Sequence, residues 1–318
     1  MNKTDIEKDF HQRYGNGNVH TCFVPLLLPV MGANCYRYGG TTLLCALDAG
    51  VWLCAGIRPD SQIVIDTTAD NVRITIPKYR REINSLSHAH QFVDILLRHF
   101  GADSGLNMLF HCYIPHTSAI DDELSYFIAA ALIISSIFSD GADDIGTLIS
   151  DFTGSDYRLP ANAIMSIRRN YAVCINGKEL TVESAPICPD NFKLICTYPS
   201  ASSTRSRNTL KNGAPLPLNN LKLDAIDDKT GALYAMTLSS HNTLAAFKAL
   251  KNSGTDAFFN TFSDHCGIDG CIGSFRSDTD IYFTADSHID YAMTEIDRKA
   301  ERALSFIVSG CAGGAVMY

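Results

Sequence analysis

The sequence lacks any apolar run long enough to cross a bilayer. Its longest apolar runs are residues 127–134 and 24–31, whereas a transmembrane helix needs about 20 consecutive apolar residues. The first residues, 1–8, are polar and contain no apolar segment of the kind that a signal peptide carries. We therefore expect a soluble, cytoplasmic protein that has no membrane partner.

The sequence also has fewer basic residues than acidic ones. Lys and Arg number 26 against 34 Asp and Glu, which gives a formal net charge of −8. Because affinity for nucleic acids comes largely from Lys and Arg contacts with phosphates, this balance argues against a nucleic-acid partner. No basic tract interleaved with aromatic residues offsets that balance.

Paired cysteine motifs and familiar catalytic signatures are missing as well. The 11 cysteines occur singly and mostly in apolar surroundings, as Cys45 and Cys54 do, which is typical of reduced core thiols. His265, Cys266 and Cys271 have part of the spacing of a zinc site but lack a second ligand pair. We expect no metal site. The sequence contains no G-x-S-x-G, H-E-x-x-H, P-loop or G-x-G-x-x-G motif.

What the chain does have is a mixture of strand-like and helix-like patterns over 318 residues, enough for one large domain or two. Apolar spacing predicts a helix over 86–100 that Gly101 closes, and the segments 41–46 and 51–57 resemble a strand pair around the turn at 48–50. Residues 163–168 resemble another strand. The best domain boundary lies near 160–170, where strands resume after a segment rich in Gly and Asp.

The most informative stretch is 112–134, which reads as a strand, a short loop and an Ala-rich helix. Such a helix start is a common phosphate-binding place, because its N–H groups are unpaired and carry partial positive charge. Here it carries Asp121, Asp122 and Glu123, which would repel a phosphate. Two interpretations stay open: the acids stabilise the first turn of the helix, or they bind a hard cation.

One segment of the chain reads Val24-Pro-Leu-Leu-Leu-Pro-Val-Met-Gly-Ala-Asn-Cys-Tyr-Arg-Tyr-Gly-Gly40 and is followed by Ala-Leu-Asp48. It resembles the first motif of the GHMP small-molecule kinases, and of galactokinases within them. That motif reads A-P-G-R-V-N-L-I-G-E-H-T-D-Y-N-G-G and then A-L-D. The stretch 114–124 is similar in position to the second motif, I-P-x-x-x-G-L-S-S-S-A. Weaker likenesses to the third motif and the closing strand occur at 272–277 and 306–315.

The resemblance implies an α+β, two-domain GHMP-kinase-like fold. Residues 1–165 would form a ribosomal-protein-S5-like N-terminal half, and residues 166–318 a ferredoxin-like C-terminal half. Its ligand cleft would be lined by Asn34, Tyr36, Arg37, Tyr38, Gly39 and Gly40. Its nucleotide loop, degenerate in this chain, would comprise Ser118, Ala119, Asp121, Asp122 and Glu123.

Several positions depart from the residues that the family's chemistry uses. The motif Arg falls on Leu27, the Glu-His pair on Ala33 and Asn34, and the sugar-contacting Asp on Tyr36. The catalytic Asp falls on or near Ser150, and Asp151 is one position away. Phosphoryl transfer depends on positioning and on neutralising charge, so the resemblance implies a fold whose chemistry is depleted.

Two functions from different classes follow. The first is a galactokinase-like pseudoenzyme that binds a sugar or another small molecule, or a protein partner, and acts in sensing or scaffolding. The alternative is an active ATP-dependent, galactose-type sugar kinase in which Asp151 is the base and Mg-ATP the cofactor. No cofactor is implied unless that alternative holds. A third possibility is an unrelated ligand-binding or assembly role for the cleft.

Overall fold

The computed structural model describes residues 2–32, 35–68, 72–77, 88–112, 123–139, 144–154, 157–187, 194–197, 228–258, 261, 304–307 and 314–317. The helices are α1 (Lys3–Tyr14), α2 (His88–His99), α3 (Glu123–Phe138), α4 (Ile145–Thr153), α5 (Arg158–Ser166) and α6 (Asp228–Ser253). The strands are β1 (His20–Met31), β2 (Thr41–Arg58), β3 (Gln62–Thr67), β4 (Val72–Pro77), β5 (Gly105–Cys112), β6 (Tyr171–Asn176), β7 (Thr181–Pro186), β8 (Leu194–Thr197), β9 (Leu304–Ile307) and β10 (Gly314–Met317).

The chain divides into two units that are not continuous in sequence. The first comprises Met1–Leu26, Leu47–Pro115 and Asp121–Ile164, and the second comprises Leu27–Ala46, His116–Ile120 and Met165–Tyr318. Two segments from the first half of the sequence therefore belong to the second unit. The division into domains 1–165 and 166–318 stays a prediction.

The first unit is built on the strand order β4-β3-β5-β2, in which β3 and β5 are parallel and the other pairs antiparallel. On one side, Ile6 and Phe10 of α1 pack on Cys54 and Leu109. The helices α2, α3 and α4 meet through three aromatic rings. The centroid of the Phe92 ring lies 4.8 Å from that of Phe127 and 5.0 Å from that of Phe152.

Helix α3 is the apolar helix that the sequence predicts after residue 119, and its existence is confirmed. It is buried on almost every side, because Leu124 to Ala131, Ile133 and Ile134 are all buried. Ser125 Oγ donates a hydrogen bond of 3.0 Å to the Pro25 carbonyl and so attaches the start of the helix to β1. None of the helices in the described part of the chain is long and apolar enough to span a membrane.

Helix α2 ends as the sequence predicts. Gly101 has φ +62°, a left-handed conformation that suits a residue without a Cβ. Its N–H donates to the Arg98 carbonyl at 3.2 Å, and the Ala102 N–H donates to the Leu97 carbonyl at 2.9 Å. These two bonds form a Schellman motif, which satisfies carbonyls that the helix end would leave unpaired.

An ion-pair cluster attaches α1 to the β3–β4 hairpin. Asp66 is only 2% exposed, and it accepts hydrogen bonds from Arg73 at 2.7 and 2.6 Å and from Arg13 at 3.3 Å. Chiefly because Arg73 donates to it, the pKa of the Asp66 carboxyl lies below its usual range. The pKa of Tyr14 is raised, first by burial and then by its hydrogen bond with Asp66.

The second unit contains the antiparallel order β2-β6-β7, formed with the first part of β2, and a separate antiparallel sheet in the order β8-β10-β9. The buried side chains of α6 include Ser239, Asn242, Thr243, Ala246 and Leu250. This helix contacts β7 and the 3-10 helix Cys35–Tyr38. Its last turn is joined to β7 by an ion pair of 2.6 Å between Lys251 and Glu183.

The predicted strand pair at 41–57 is wrong, because β2 is one strand of 18 residues. Its first part pairs with β6 over Thr41–Cys45, and its last part pairs with β5 over Val51–Arg58. Pairing along both parts stabilises an extended chain through 48–50. A Cβ at Gly50 would overlap the Val24 carbonyl of β1, so the glycine serves close strand packing instead of a turn.

The strand predicted over 163–168 is also wrong, because those residues begin inside α5. Pro160 lies in the first turn of that helix, where its missing N–H costs no hydrogen bond. Leu159, Ala163 and Ile164 recur at helical spacing and are buried. The helical period, and not the apolar content alone, decides the structure of this segment.

Candidate functional site

The loop between β1 and β2, residues 32–40, holds most of the predicted ligand residues. The structure describes Gly32 and residues 35–40, whereas Ala33 and Asn34 lie outside the described residues. Residues Cys35–Tyr38 form a single 3-10 turn. The Cys35 N–H donates to the Gly32 carbonyl at 2.9 Å, and the Gly40 N–H donates to the Cys35 carbonyl at 2.8 Å.

Two glycines make this tight path possible. Gly32 has φ +61° and Gly39 has φ +76°, values that residues with a Cβ adopt at a cost. A Cβ at Gly32 would also overlap the Thr41 carbonyl. Gly39 and Gly40, predicted as ligand residues, thus shape the loop backbone.

Thr42 joins the two ends of the loop. Its hydroxyl donates to the Gly32 carbonyl at 2.6 Å and accepts from the Tyr36 N–H at 3.2 Å. Thr42 is 1% exposed, so water does not compete for these bonds. A buried, satisfied hydroxyl of this kind holds backbone groups that would otherwise be costly to leave unpaired.

Two further contacts come from residues distant in sequence. Ser240 Oγ, on α6, accepts a hydrogen bond of 2.8 Å from the Thr41 N–H. The Gly177 N–H, after β6, donates to the Gly40 carbonyl at 2.8 Å. A Cβ at Gly177 would overlap the Tyr36 carbonyl, so only glycine fits there without displacement.

Sequence reasoning missed Thr42, Ser240 and Gly177. The sequence does predict a turn at Gly177, because the Asn176-Gly177 pair is a turn sequence. The residues around it do not indicate which loop the turn contacts. Ser240 lies in a helical pattern where a serine is unremarkable. Thr42, Gly177 and Ser240 together hold the backbone of the 32–40 loop.

Tyr36 and Arg37 form a side-chain pair on this anchored loop. Arg37 Nε donates to the Tyr36 hydroxyl oxygen at 3.0 Å, and the guanidinium carbon lies 5.8 Å from the centroid of the Tyr36 ring. Tyr36 and Tyr38 are half-buried, whereas Arg37 is exposed. The loop therefore presents a fixed aromatic surface together with an exposed positive charge.

Of the predicted nucleotide loop, Ser118, Ala119, Asp121 and Asp122 lie outside the described residues. Glu123 is the first residue of α3 and provides a carboxylate in its first turn. That position is favourable for an acid, because the helix N-terminus carries partial positive charge. Both interpretations of the acidic stretch stay predictions.

The predicted catalytic region falls on α4. Ser150 Oγ donates to the Gly146 carbonyl at 2.8 Å and accepts from the Tyr157 N–H at 3.0 Å. This hydroxyl therefore connects α4 to the chain that leads into α5. Asp151 is exposed in the last turn of α4, and successive helical residues point about 100° apart, so it faces away from Ser150.

Leu27, at the position of the motif Arg, is a half-buried residue of β1. Its neighbours Leu26 and Leu28 are buried on the opposite face of the strand. No group of three or more His, Cys, Asp or Glu in the described residues is arranged to hold a metal ion. His265, Cys266 and Cys271 lie outside those residues.

No protein-family model matches the chain. The galactokinase of Clostridium tetani is 23% identical over 204 residues, which is 60% of this chain and 52% of that protein. The galactokinase of Lacticaseibacillus casei is 22% identical over 201 residues, 59% of this chain and 52% of that protein. The chain therefore spans about half the length of the curated relatives that it matches.

Solved structures match this chain over a larger share of its length than these two sequences do. Lactococcus lactis galactokinase complexed with galactose matches with a TM-score of 0.76 and 14% identity, over 99% of this chain and 89% of that one. Methanococcus jannaschii mevalonate kinase matches with a TM-score of 0.62 and 13% identity, over 95% and 90% of the two chains.

These likenesses define the fold of a GHMP kinase, and they confirm the predicted α+β, GHMP-kinase-like class. The chain is thus similar in sequence to two galactokinases and similar in fold to a galactokinase and a mevalonate kinase. The description of its halves as ribosomal-protein-S5-like and ferredoxin-like stays a prediction.

Proposed function

We propose that this galactokinase-family protein binds a sugar or a related small molecule without transferring phosphate, and that it acts as a sensor or scaffold. The observation that carries the proposal is the use of Ser150. At or beside the expected place of a catalytic Asp, the chain has a hydroxyl that connects α4 to residue 157. A hydroxyl engaged in this way is a poor replacement for a carboxylate base.

Two other positions support the proposal. Leu27 offers no positive charge where the motif has an Arg, although phosphoryl transfer requires the charge of the phosphates to be neutralised. Glu123 adds a negative charge at the start of α3. A carboxylate within about 4 Å of a phosphate costs about 1–4 kcal/mol per pair of charges at effective dielectrics of roughly 20–80. These residues do not fit Mg-ATP well, and no step of the proposal uses it.

The anchored 32–40 loop supports retained ligand binding. Thr42, Gly177 and Ser240 hold its backbone in one conformation, and a preformed loop loses less conformational entropy when a ligand binds. The neighbouring galactokinase structure was solved with galactose, so galactose is the first ligand to test. A protein partner that responds to the ligand, and a cytoplasmic location, belong to the same proposal.

The test measures the thermal unfolding temperature and ADP release on the same samples. Galactose at about 100 times its Kd adds about 2.7 kcal/mol to the free energy of unfolding. We expect a rise in unfolding temperature with the sugar alone and no sugar-dependent ADP release with Mg-ATP. Sugar-dependent ADP release would overturn the proposal.

The kinase alternative has its own control. If the wild-type protein releases ADP, Asp151→Asn tests whether the exposed carboxylate of α4 is the base. Loss of turnover in Asp151→Asn with unchanged unfolding temperature would establish the alternative. Turnover that Asp151→Asn leaves unchanged would place the catalytic base elsewhere.

A further inference from the structure

Buried polar residues are concentrated where α6 meets the 32–40 loop and the start of β2, all of which belong to the second unit. The described part of the chain has eight buried polar or charged residues. Five of these eight lie on α6 or at the start of β2, namely Thr41, Thr42, Ser239, Asn242 and Thr243. We call the contact formed by these five residues and Ser240 the polar interface.

Small groups make the contacts across the polar interface. Ser240 Oγ accepts a hydrogen bond of 2.8 Å from the Thr41 N–H. A Cβ at Gly32 would lie 2.7 Å from Thr243 Oγ1, and a Cβ at Gly40 would lie 2.9 Å from Ser240 Oγ. The two glycines therefore let polar side chains of α6 approach the loop backbone closely. Such hydrogen bonds replace hydrogen bonds with water, so each adds less stability than a buried large apolar side chain does.

Asn242 weakens the polar interface. It lies three positions after Ser239, and Thr243 lies four positions after Ser239, so the three residues share one side of the helix. Asn242 is 4% exposed, and its Nδ2 is inaccessible to solvent and has no hydrogen-bond partner among the described residues. Burial without a partner costs free energy while the interface is closed, whereas water satisfies the amide once the interface opens.

The last turns of α6 are attached in a different way. Phe247 and Leu250 are buried apolar residues of these turns, and Lys251 forms an ion pair of 2.6 Å with Glu183 of β7. The helix therefore has a polar contact with the loop in one part and apolar and ionic contacts in its last turns. The polar contact is the one that costs less to break.

We infer that the polar interface is a conformational switch, at which α6 separates from the 32–40 loop while β2, β6 and β7 stay paired. Separation releases the Thr41 N–H from Ser240 and gives water access to Asn242, which offsets part of the cost of opening. The position of α6 then determines whether the loop is held in one conformation. This inference goes beyond the proposed function and needs no ligand for its test.

Native-state hydrogen exchange followed by NMR tests the switch in the wild-type protein. The reporters are the N–H of Thr41, bonded to Ser240, and the N–H of Gly40, bonded to the Cys35 carbonyl at 2.8 Å. We expect both to show the same protection factor, at least about tenfold below that of the slowest amides of β6. We also expect this protection to change little in low urea, because a local opening exposes little surface.

Protection of the two reporters equal to that of β6 would show that the interface opens only when the protein unfolds. Different protection factors for Thr41 and Gly40 would show that the loop and the start of β2 open separately. Either result would overturn the inference.

Asn242→Leu is the diagnostic variant, because leucine has a similar size and buries no polar group. We expect the protection of both reporters to rise by about tenfold, since one buried amide without a partner is removed from the closed state. Asn252→Leu is the matched control, because it makes the same change at an exposed position of α6, and it leaves the protection unchanged. Unchanged protection in Asn242→Leu, with the fold verified by circular dichroism, would contradict the inference.

Ser240→Ala tests the same interface if Asn242→Leu does not fold. We expect it to lower the protection of the Gly40 N–H by about tenfold, although that N–H is bonded to Cys35 and not to Ser240. His241→Ala, at an exposed neighbour on α6, is its control and leaves the protection unchanged. A change in Ser240→Ala that is confined to the Thr41 N–H would show the loss of one hydrogen bond and no switch, and it would overturn the inference.

Discussion

The Ser240 hydroxyl accepts a hydrogen bond of 2.8 Å from the Thr41 N–H across 199 positions of sequence. Thr41 is 4% exposed, so its N–H has no access to solvent if the bond is lost. The contact joins α6 to the start of β2, the longest strand among the described residues. The conformation of the 32–40 loop therefore depends on α6.

We predict that Ser240→Ala lowers the free energy of unfolding by about 1–3 kcal/mol, because it leaves a buried backbone N–H without an acceptor. Urea unfolding followed by circular dichroism measures the change. The matched control is His241→Ala, an exposed neighbour on the same helix, which we expect to change stability by less than about 0.5 kcal/mol. Equal midpoints for the two variants would contradict the role assigned to Ser240.

Gly177→Ala tests the closest approach of two backbone segments in the loop. The added Cβ overlaps the Tyr36 carbonyl, so we expect a loss of about 1–3 kcal/mol from overpacking and backbone displacement. Gly17→Ala is the control, because a Cβ there meets nothing within 4 Å. A fall in thermal unfolding temperature in Gly177→Ala alone is the expected result. Similar temperatures for both variants would show that Tyr36 can move aside.

The dependence of stability on pH tests the Asp66 cluster. The folded-state pKa of Asp66 is lowered, chiefly by Arg73, so its contribution is fully present above the unfolded value of about 3.9 and is lost as the pH falls through the folded value. Asp66→Asn removes the charge that Arg73 and Arg13 contact. We expect it to lower the free energy of unfolding by about 1–3 kcal/mol at pH 7.

The same variant has a signature at low pH. As the pH falls below about 4 and through the lowered folded-state pKa, the wild-type protein loses the contribution of Asp66, so its urea midpoint approaches that of Asp66→Asn. Asp48→Asn, at an exposed position of β2, is the control and leaves the difference between pH 7 and pH 3 unchanged. A constant gap between wild type and Asp66→Asn over this range would contradict the lowered pKa.

The reactivity of thiols tests the surroundings of four cysteines, of which Cys54 and Cys174 are buried and Cys22 and Cys45 half-buried. Burial raises the pKa of Cys22, Cys45 and Cys174 to about 12 and that of Cys54 to about 11. At pH 8 the thiolate fraction of a group with a pKa of 12 is on the order of 10⁻⁴, and the thiolate is the reactive form. We expect mass spectrometry after brief iodoacetamide treatment to find these four unmodified.

The control for that experiment is the same treatment in concentrated urea, where all 11 cysteines of the sequence become accessible. Modification of Cys45 in the folded protein at the rate found in urea would show that β2 opens at this point.

The sequence predicts elements better than it predicts which elements meet. The Asn176-Gly177 turn follows from local chemistry, since both residues favour such a turn. Its contact with Tyr36 follows instead from the pairing of Thr41 with Asn176, which brings Gly40 and Gly177 together at the end of the ladder. Strand partners are not encoded in a local pattern.

The two incorrect strand predictions have different causes. In β2, the Asp48-Ala49-Gly50 signal predicts a turn, but strands on both flanks find partners and keep the chain extended. In α5, apolar content suggests a strand, while Pro160 and the helical spacing of buried residues indicate a helix. Tertiary pairing overrides local preference in the first case, and the period was misjudged in the second.

The contacts of Ser150 also cannot be predicted from the sequence, because they depend on tertiary structure. A motif alignment assigns a position to a residue, but it does not say what its hydroxyl contacts. The contacts with Gly146 and Tyr157 exist because α4 ends at Gly154 and the chain returns to residue 157. What a side chain contacts depends on such local geometry.

Strand β2 has a consequence for synthesis on the ribosome. Its last part finds its partner in β5 soon after it emerges, whereas Thr41–Cys45 must wait for β6. That delay is roughly 130 residues, or roughly 7–26 s at about 5–20 residues per second. Although β1 also pairs with β2, the edge of Leu43 and Leu44 that later meets β6 has no partner strand during this time, and an open edge is a template for aggregation. The first part of the strand that follows the 32–40 loop therefore waits longer for β6 than its last part waits for β5.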